Sequence, residues 1–85
     1  MNELKLLDTV TNFKQIPIER LILVEPEYQS IRYLPIGQVG TIVEIYESEP
    51  PQYLVEFANS QGQEYAMAIL KADEILSLHY ELTVA

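Results

Sequence analysis

Hydrophobic and polar positions alternate through the middle of the chain, in two runs at residues 38–46 and 53–57. Alternation with a period of two is typical of a β-strand that buries one face. The polar, proline-bearing segment 47–52 between the runs suits an exposed hairpin loop. The pattern therefore predicts a β-hairpin. Val43 and Ile45 share the core face of its first strand, and Tyr53, Val55 and Phe57 share one face of its second strand.

A second turn signal extends this hairpin into a three-stranded meander. Residues 59–62, Asn-Ser-Gln-Gly, have the pattern of a type I turn closed by a left-handed glycine, Gly62. The chain then returns through residues 63–70, where the small side chains of Ala66 and Ala68 would let another sheet approach closely. The pattern leaves open which face of this third strand is buried.

The last residues have the clearest amphipathic strand pattern in the chain. Apolar residues at positions 76, 78, 80, 82 and 84 alternate with polar residues at 77, 79, 81 and 83. We expect this strand to be fixed by pairing because it runs almost to the last residue. On a sheet edge it could also pair with another chain, which leaves a homo-oligomer through this C-terminal strand open.

The N-terminal half is less regular. Residues 6–13 are expected to form the first strand, and the apolar run 21–24 could be a fully buried strand. Residues 25–36 form a long connector, a kind of segment that is often functional in compact domains. Residues 71–74 are the only helix-like patch and predict a single turn.

Together these segments predict a mainly β fold. We expect a small SH3-like barrel of about five antiparallel strands with at most one short helical turn, formed by residues 1–85 as a single domain. Gly37 and Gly40 would allow backbone conformations that other residues avoid, at the point where a strand enters and bends into the barrel.

Composition excludes several classes of protein. The 85 residues include no cysteine, so neither a disulfide framework nor a thiolate metal site can form. A net charge of −8 repels phosphate backbones and anionic lipid surfaces. No apolar run approaches the roughly 20 residues that span a bilayer, and the start has no signal-peptide pattern. We therefore expect a cytoplasmic protein with no membrane partner.

Candidate chemistry is sparse. His79 is the only histidine and lies between Ser77 and Glu81 on the polar face of the last strand, without a second metal ligand beside it. The acidic residues lack the spacing of a calcium loop, and no nucleophile elbow, phosphate loop or dinucleotide fingerprint is present. We therefore predict no catalytic residue, no metal ligand and no cofactor, and we do not expect an enzyme.

Tyrosines are the best candidates for binding a partner. Of the six, Tyr28 and Tyr33 lie in the connector, Tyr46 lies on the non-core face of its strand, and Tyr80 lies on the apolar face of the last strand. Tyrosine supplies contact area at low entropic cost, so these four could form an aromatic groove. The alternative is that they cover a small core while their hydroxyl groups stay in water.

The run Gly-Gln-Val-Gly-Thr-Ile-Val-Glu at residues 37–44, followed by Tyr-Leu-Val-Glu-Phe at 53–57, resembles the central motif of the DUF4926 family of small bacterial proteins. The resemblance extends back to residues 6–10 and forward through residues 61–76. It implies an SH3-like barrel and no catalytic residues. Some members are encoded beside small partner proteins, which implies an antitoxin or immunity role. The segment Leu21–Tyr33 and the C-terminal tail are additions to the usual pattern.

Two functions follow from these observations. The first is a non-enzymatic protein-interaction module, in particular an antitoxin- or immunity-type partner of another protein. The alternative is a barrel associated with nucleic acid or ribonucleoprotein, because the Gly-x-x-Gly-x-x-Val pattern is also similar to the KOW motif. The negative charge and the scattered positions of the five Lys and Arg residues make nucleic acid the less favoured partner.

Overall fold

Eight β-strands form most of the described part of the chain, which comprises residues 4–25, 27 and 31–78 of a computed structural model. The predicted mainly β fold is confirmed. It has more than the expected five or so strands, because the segment between the first strand and the hairpin forms short strands of its own. The strands are β1 (Thr9–Asn12), β2 (Ile16–Pro17), β3 (Leu21–Leu23), β4 (Tyr33–Leu34), β5 (Val39–Tyr46), β6 (Gln52–Ala58), β7 (Glu64–Lys71) and β8 (Ile75–Ser77).

Six of the strands form one antiparallel sheet in the order β3-β7-β6-β5-β1-β8, and β2 pairs with β4 in a second, two-stranded sheet. β5, β6 and β7 are successive hairpin partners, as the meander prediction requires. β1 pairs with both β5 and β8, which places the two ends of the described chain side by side. β3 and β8 are the edge strands of this sheet, and no ladder joins them within the described residues.

The hydrophobic core lies on one face of the meander. Tyr53, Val55 and Phe57 share one face of β6, as their alternation predicts, and this face is buried. The structure shows which face of β7 is buried: Ala66, Ala68 and Leu70 face the core, whereas Ile69 and Lys71 are exposed. β3 and β6 pair with β7 on its two sides. The remaining buried apolar residues are Val10, Ile16, Leu34, Ile42, Tyr65 and Ile75.

A β-bulge in β5 changes which residues face the core. The ladder between β5 and β6 shifts register between Ile42 and Glu44, so Val43 is the inserted residue. Ile42 is fully buried and Ile45 packs against the core, whereas Val43 is only half-buried. The prediction that Val43 occupies the inward position was therefore wrong, because an inserted residue moves the alternation by one position.

The first and third strands also differ from their predictions. β1 begins only at Thr9, because Leu7 has a positive φ of 71° in a turn closed by hydrogen bonds between Lys5 and Asp8. β3 is not fully buried as proposed: it forms an edge of the six-stranded sheet, and Ile22 is exposed. An edge strand has a neighbour on one side only, which leaves part of an apolar run in contact with solvent.

The apolar face predicted for the C-terminal strand is reversed where the structure describes it. Ile75 is 3% exposed and faces the core, whereas Leu76 is 46% exposed. The inward position is set by pairing with β1, where Ile75 lies opposite Asn12. Residues 79–85, which include His79 and Tyr80, lie outside the described residues.

Short 3-10 turns flank two of the strands. The predicted turn is confirmed at Ala72–Glu74, and a further turn at Ile18–Arg20 was not expected. The two turns are joined by a bidentate ion pair between Arg20 and Glu74, with N–O distances of 2.6 and 2.8 Å. No helix in the described part of the chain has the length and apolar character needed to cross a membrane.

Candidate functional site

The glycine motif forms one wall of a cleft, and its two glycines serve different purposes. Gly37 has a positive φ of 92°, a conformation that favours glycine, as expected for the turn that leads into β5. Gly40 is needed for space, because a Cβ atom built there would lie 2.7 Å from the Glu56 carbonyl oxygen and 2.7 Å from a methyl carbon of Val55. The expected unusual backbone is therefore found at Gly37, whereas Gly40 allows β6 to approach closely.

The buried side chain of Asn12 holds this wall in position. Its amide nitrogen donates to the carbonyl oxygens of Lys14 and Pro35, at 2.8 and 2.9 Å. Its side-chain oxygen accepts from the backbone N–H of Gln38 at 2.9 Å, and its carbonyl oxygen accepts from Gly37 at 2.8 Å. One fully buried polar residue thus joins β1 to the turn before β5.

The opposite wall is the turn between β6 and β7, and its predicted form is confirmed. Gly62 has a φ of 80°, and its N–H donates to the carbonyl oxygen of Asn59 at 3.0 Å. The Asn59 side-chain oxygen accepts from the backbone N–H groups of Gln61 and Gln63. These bonds give the turn a defined shape without help from the rest of the protein.

Between the two walls lies a cleft of about 720 Å³, here called the glycine cleft. Tyr65 contributes to it from a second β-bulge, where β7 shifts register against β6. The Tyr65 hydroxyl donates to the side-chain oxygen of Gln38 at 2.9 Å, which links the two walls. The lining residues are Ile31, Leu34, Pro35, Gly37, Gln38, Val39, Gly40, Thr41, Ala58, Asn59, Ser60 and Tyr65.

The glycine cleft has an uncharged, mainly aliphatic lining. Its described lining includes no acidic side chain, no basic side chain and no histidine. Aliphatic groups dominate it, and Val39 is 44% exposed at its edge. A few uncharged amide and hydroxyl groups could orient an apolar ligand, which is the usual composition of such sites.

A pair of acidic side chains occupies a different surface. The carboxyl groups of Glu56 and Glu64, on β6 and β7, share a hydrogen bond that raises the pKa of Glu56, and desolvation and charge repulsion raise it further. Neither residue lines the glycine cleft. Within the described residues, no group of three or more acidic or histidine side chains is arranged to hold a metal ion.

The four tyrosines predicted to bind a partner do not come together among the described residues. Tyr33 lies on β4 opposite Pro17 and is exposed, whereas Tyr46 is half-buried at the far end of β5, opposite Gln52. Neither lines the glycine cleft. Tyr28 and Tyr80 lie outside the described residues, so a groove built from all four stays a prediction.

Sequence reasoning did not single out Asn12 or Tyr65 as parts of a site. The signal for Asn12 was a polar residue two positions after Val10, a spacing that places both on the inward face of β1. An amide at a core position requires hydrogen-bond partners, so its presence indicates that another segment must close over it. No comparable signal marks Tyr65, because the bulge depends on the register between β6 and β7.

Comparison with known proteins identifies one family. The model of the family described as "Domain of unknown function (DUF4926)" matches residues 6–77. No curated protein matches the chain, and no solved structure matches it either. The matched range includes every strand of the two sheets and all the residues that line the glycine cleft.

Proposed function

The chain belongs to the DUF4926 family, whose description assigns no activity, and from the geometry of the glycine cleft we propose that it is a non-enzymatic protein-binding module. The observation that carries this proposal is a cleft of about 720 Å³ with an uncharged, mainly aliphatic lining. Small-molecule and cofactor sites in proteins, which are also mostly apolar, have volumes of roughly 300–1,000 Å³. The cleft is therefore large enough for one or two apolar side chains of a partner.

Hydrogen bonds within the chain hold the walls of the cleft without any partner. The Asn12 hydrogen bonds fix one wall, the Asn59 turn fixes the other, and the contact between Tyr65 and Gln38 joins them. A preformed surface loses little conformational entropy on binding, which favours affinity. Val39 at the rim adds exposed apolar area that a partner would cover.

Affinity selection from a random peptide library would test the proposal. We expect enriched peptides with apolar anchors, and we expect them to shift the amide resonances of residues 37–41 and 58–60. Val39→Glu should weaken binding at least about tenfold because it places a charge in an apolar cleft. Ile69→Glu is the matched control, since Ile69 is 42% exposed on β7 and does not line the cleft. Equal loss in both variants, or shifts elsewhere, would count against the proposal.

The specific form of this function is neutralisation of a small partner protein. The gene arrangement implied by the family resemblance supports it, and co-expression with the neighbouring gene product would test it directly. We expect wild type and Ile69→Glu to protect cells from a toxic neighbour and Val39→Glu to fail. A neighbour that is harmless when expressed alone would remove the basis for a neutralising role.

Nucleic acid remains the alternative partner, and the cleft does not favour it. The described lining has no Lys or Arg to contact phosphate groups, and the whole chain has a charge of −8. Tight retention of RNA on a filter at low salt, with a steep loss as salt rises, would reverse this ranking.

A further inference from the structure

We propose that a second cleft, at the other end of β5 and β6, binds a basic segment of a partner protein. This cleft, here called the acidic cleft, has a volume of about 660 Å³. It is separate from the glycine cleft: Gly40 pairs with Phe57 near one end of the ladder, and Ile45 pairs with Tyr53 near the other. The acidic cleft is lined by Leu4, Ile45, Glu47, Ser48, Glu49, Pro51, Tyr53 and Ala72.

The floor of the acidic cleft is apolar. Ile45 and Tyr53 lie directly opposite each other in the ladder between β5 and β6. Leu4 and Ile45 are partly buried and pack against the core, so part of each side chain remains open to the cleft. A ligand that places an aliphatic group here would remove this apolar surface from water.

The rim of the acidic cleft carries two exposed carboxylates, Glu47 and Glu49. In the described residues the one salt bridge joins Arg20 to Glu74, so neither rim carboxylate is paired with a cation there. Lys71, which ends the adjacent strand, lines a different cleft together with Arg20. Two unpaired negative charges beside an apolar floor are complementary to a Lys or Arg next to an apolar residue.

The loop that carries the carboxylates is held in shape. The N–H of Ser48 donates to the carbonyl oxygen of Tyr46 at 2.9 Å, and the Ser48 hydroxyl donates to the carbonyl oxygen of Pro50 at 2.8 Å. Pro50 and Pro51 each have a fixed φ, which reduces the conformations that the loop can adopt. The rim therefore has little freedom to lose when a partner binds.

These features together point to a peptide segment and not to a free cation. Metal ions are bound by several ligands at once, and no group of three or more acidic or histidine side chains in the described residues is arranged for one. A metal ion would also leave the apolar floor unused. An extended segment that alternates basic and apolar side chains would use both parts of the acidic cleft.

Titration with designed peptides, followed by amide chemical shifts, tests this inference. The probe is a blocked peptide, Ser-Lys-Leu-Lys-Leu-Ser, with two matched peptides in which both Lys become Glu or both Leu become Ser. We expect the Lys-Leu peptide to shift the amide resonances of Ile45, Ser48 and Tyr53. We also expect its affinity to fall at least about threefold when the salt concentration is raised. The Glu-Leu and Lys-Ser peptides should bind much more weakly.

Paired variants separate a specific site from general attraction to an acidic protein. The double variant Glu47→Gln/Glu49→Gln should bind the Lys-Leu peptide at least about fivefold more weakly than the wild type. Glu19→Gln/Glu27→Gln makes the same change in net charge at exposed residues outside the cleft and should change binding less than about twofold. Equal losses in the two double variants would overturn the proposal, and so would undiminished binding of the Lys-Ser peptide, which would indicate a plain cation site.

The test is independent of the function proposed for the glycine cleft. Val39→Glu should leave the affinity for the Lys-Leu peptide unchanged, because Val39 lines the other cleft. Amide chemical-shift changes confined to residues 37–41 and 58–60 would overturn the proposal for the acidic cleft. The same result would support the proposal for the glycine cleft. The two proposals can therefore fail separately.

Discussion

Single residues decide the shape of the glycine cleft. Asn12 has no exposed surface, and it bonds to groups in the segment after β1 and in the turn before β5. Gly40 has no side chain, which lets the backbone of β6 lie close to β5. One residue acts through hydrogen bonds and the other through the space it leaves, so their substitutions are expected to have different consequences.

Asn12→Ala should destabilise the protein by about 2–4 kcal/mol, because it leaves the part-buried N–H of Gln38 and the carbonyl oxygen of Pro35 without their partner. Urea unfolding measures this free energy. Asn59→Ala is the control: it also removes several hydrogen bonds, but in an exposed turn where water can replace them. Its expected loss is about 1 kcal/mol or less. Equal losses would contradict the structural role assigned to Asn12.

Gly40→Ala should cost about 2–3 kcal/mol, since the new methyl group would overlap backbone and side-chain atoms of β6. In Gly37→Ala the new Cβ atom has no other atom within 4 Å. This variant should lose about 1 kcal/mol of stability, because alanine is strained at the positive φ of this position. Thermal unfolding of the two variants measures which of them loses more stability. If Gly37→Ala were the more harmful change, backbone conformation would matter more than close packing at this motif.

At the scale of elements, the segment between β1 and β5 is held to the sheet by a few defined contacts. β3 pairs with β7 at the sheet edge, and the 3-10 turn at Ile18–Arg20 is joined to the turn at Ala72–Glu74 by an ion pair. Arg20 also donates to the carbonyl oxygen of Ile69 at 3.0 Å. The ion pair therefore links β7 and the following turn to a part of the chain about 50 residues earlier.

This ion pair predicts a pH dependence of stability. The hydrogen bond from Arg20 lowers the pKa of Glu74 from 4.5 to about 2. A carboxyl whose pKa is lower in the folded state stabilises the fold above its unfolded pKa, and that contribution is lost as pH falls from about 4.5 toward about 2. Because the Arg20 side chain is 38% exposed, solvent screening reduces the effect to about 1 kcal/mol at pH 7.

Glu74→Gln should therefore lower stability by about 1 kcal/mol at pH 7 and have a smaller effect near pH 2.5. Urea unfolding across this pH range measures the difference. Asp73→Asn removes the same charge from the neighbouring exposed residue, which has no salt bridge within the described part of the chain. A Glu74→Gln effect that stayed constant with pH would contradict a specific interaction with Arg20.

At the scale of the whole molecule, stability is expected to be unequal between the two sheets. β5, β6 and β7 form long ladders over a continuous core, whereas β2 and β4 share only two residue pairs. Amide hydrogen exchange should show at least about tenfold higher protection in β6 than in β2 and β4. Uniform protection across both sheets would show that the segment between β1 and β5 unfolds only together with the main sheet.

Local patterns in the sequence were enough to identify the central meander. The alternation in residues 53–57 predicted which residues share a face of β6, and the Asn-Ser-Gln-Gly turn was found as expected, because both depend on neighbouring residues. The absence of cysteine and the net charge likewise follow from composition alone. These properties need no knowledge of which distant segments meet.

Tertiary structure alone decided the inward residues at the bulge, the reversed face of β8 and the two clefts. Each depends on the register between strands, and a shift of one residue exchanges the two faces of a strand. Ile42 replaces Val43 in the core for this reason, and the pairing of β8 with β1 places Ile75 inside and Leu76 outside. The glycine cleft joins residues from three separate parts of the chain, and only their packing brings them together.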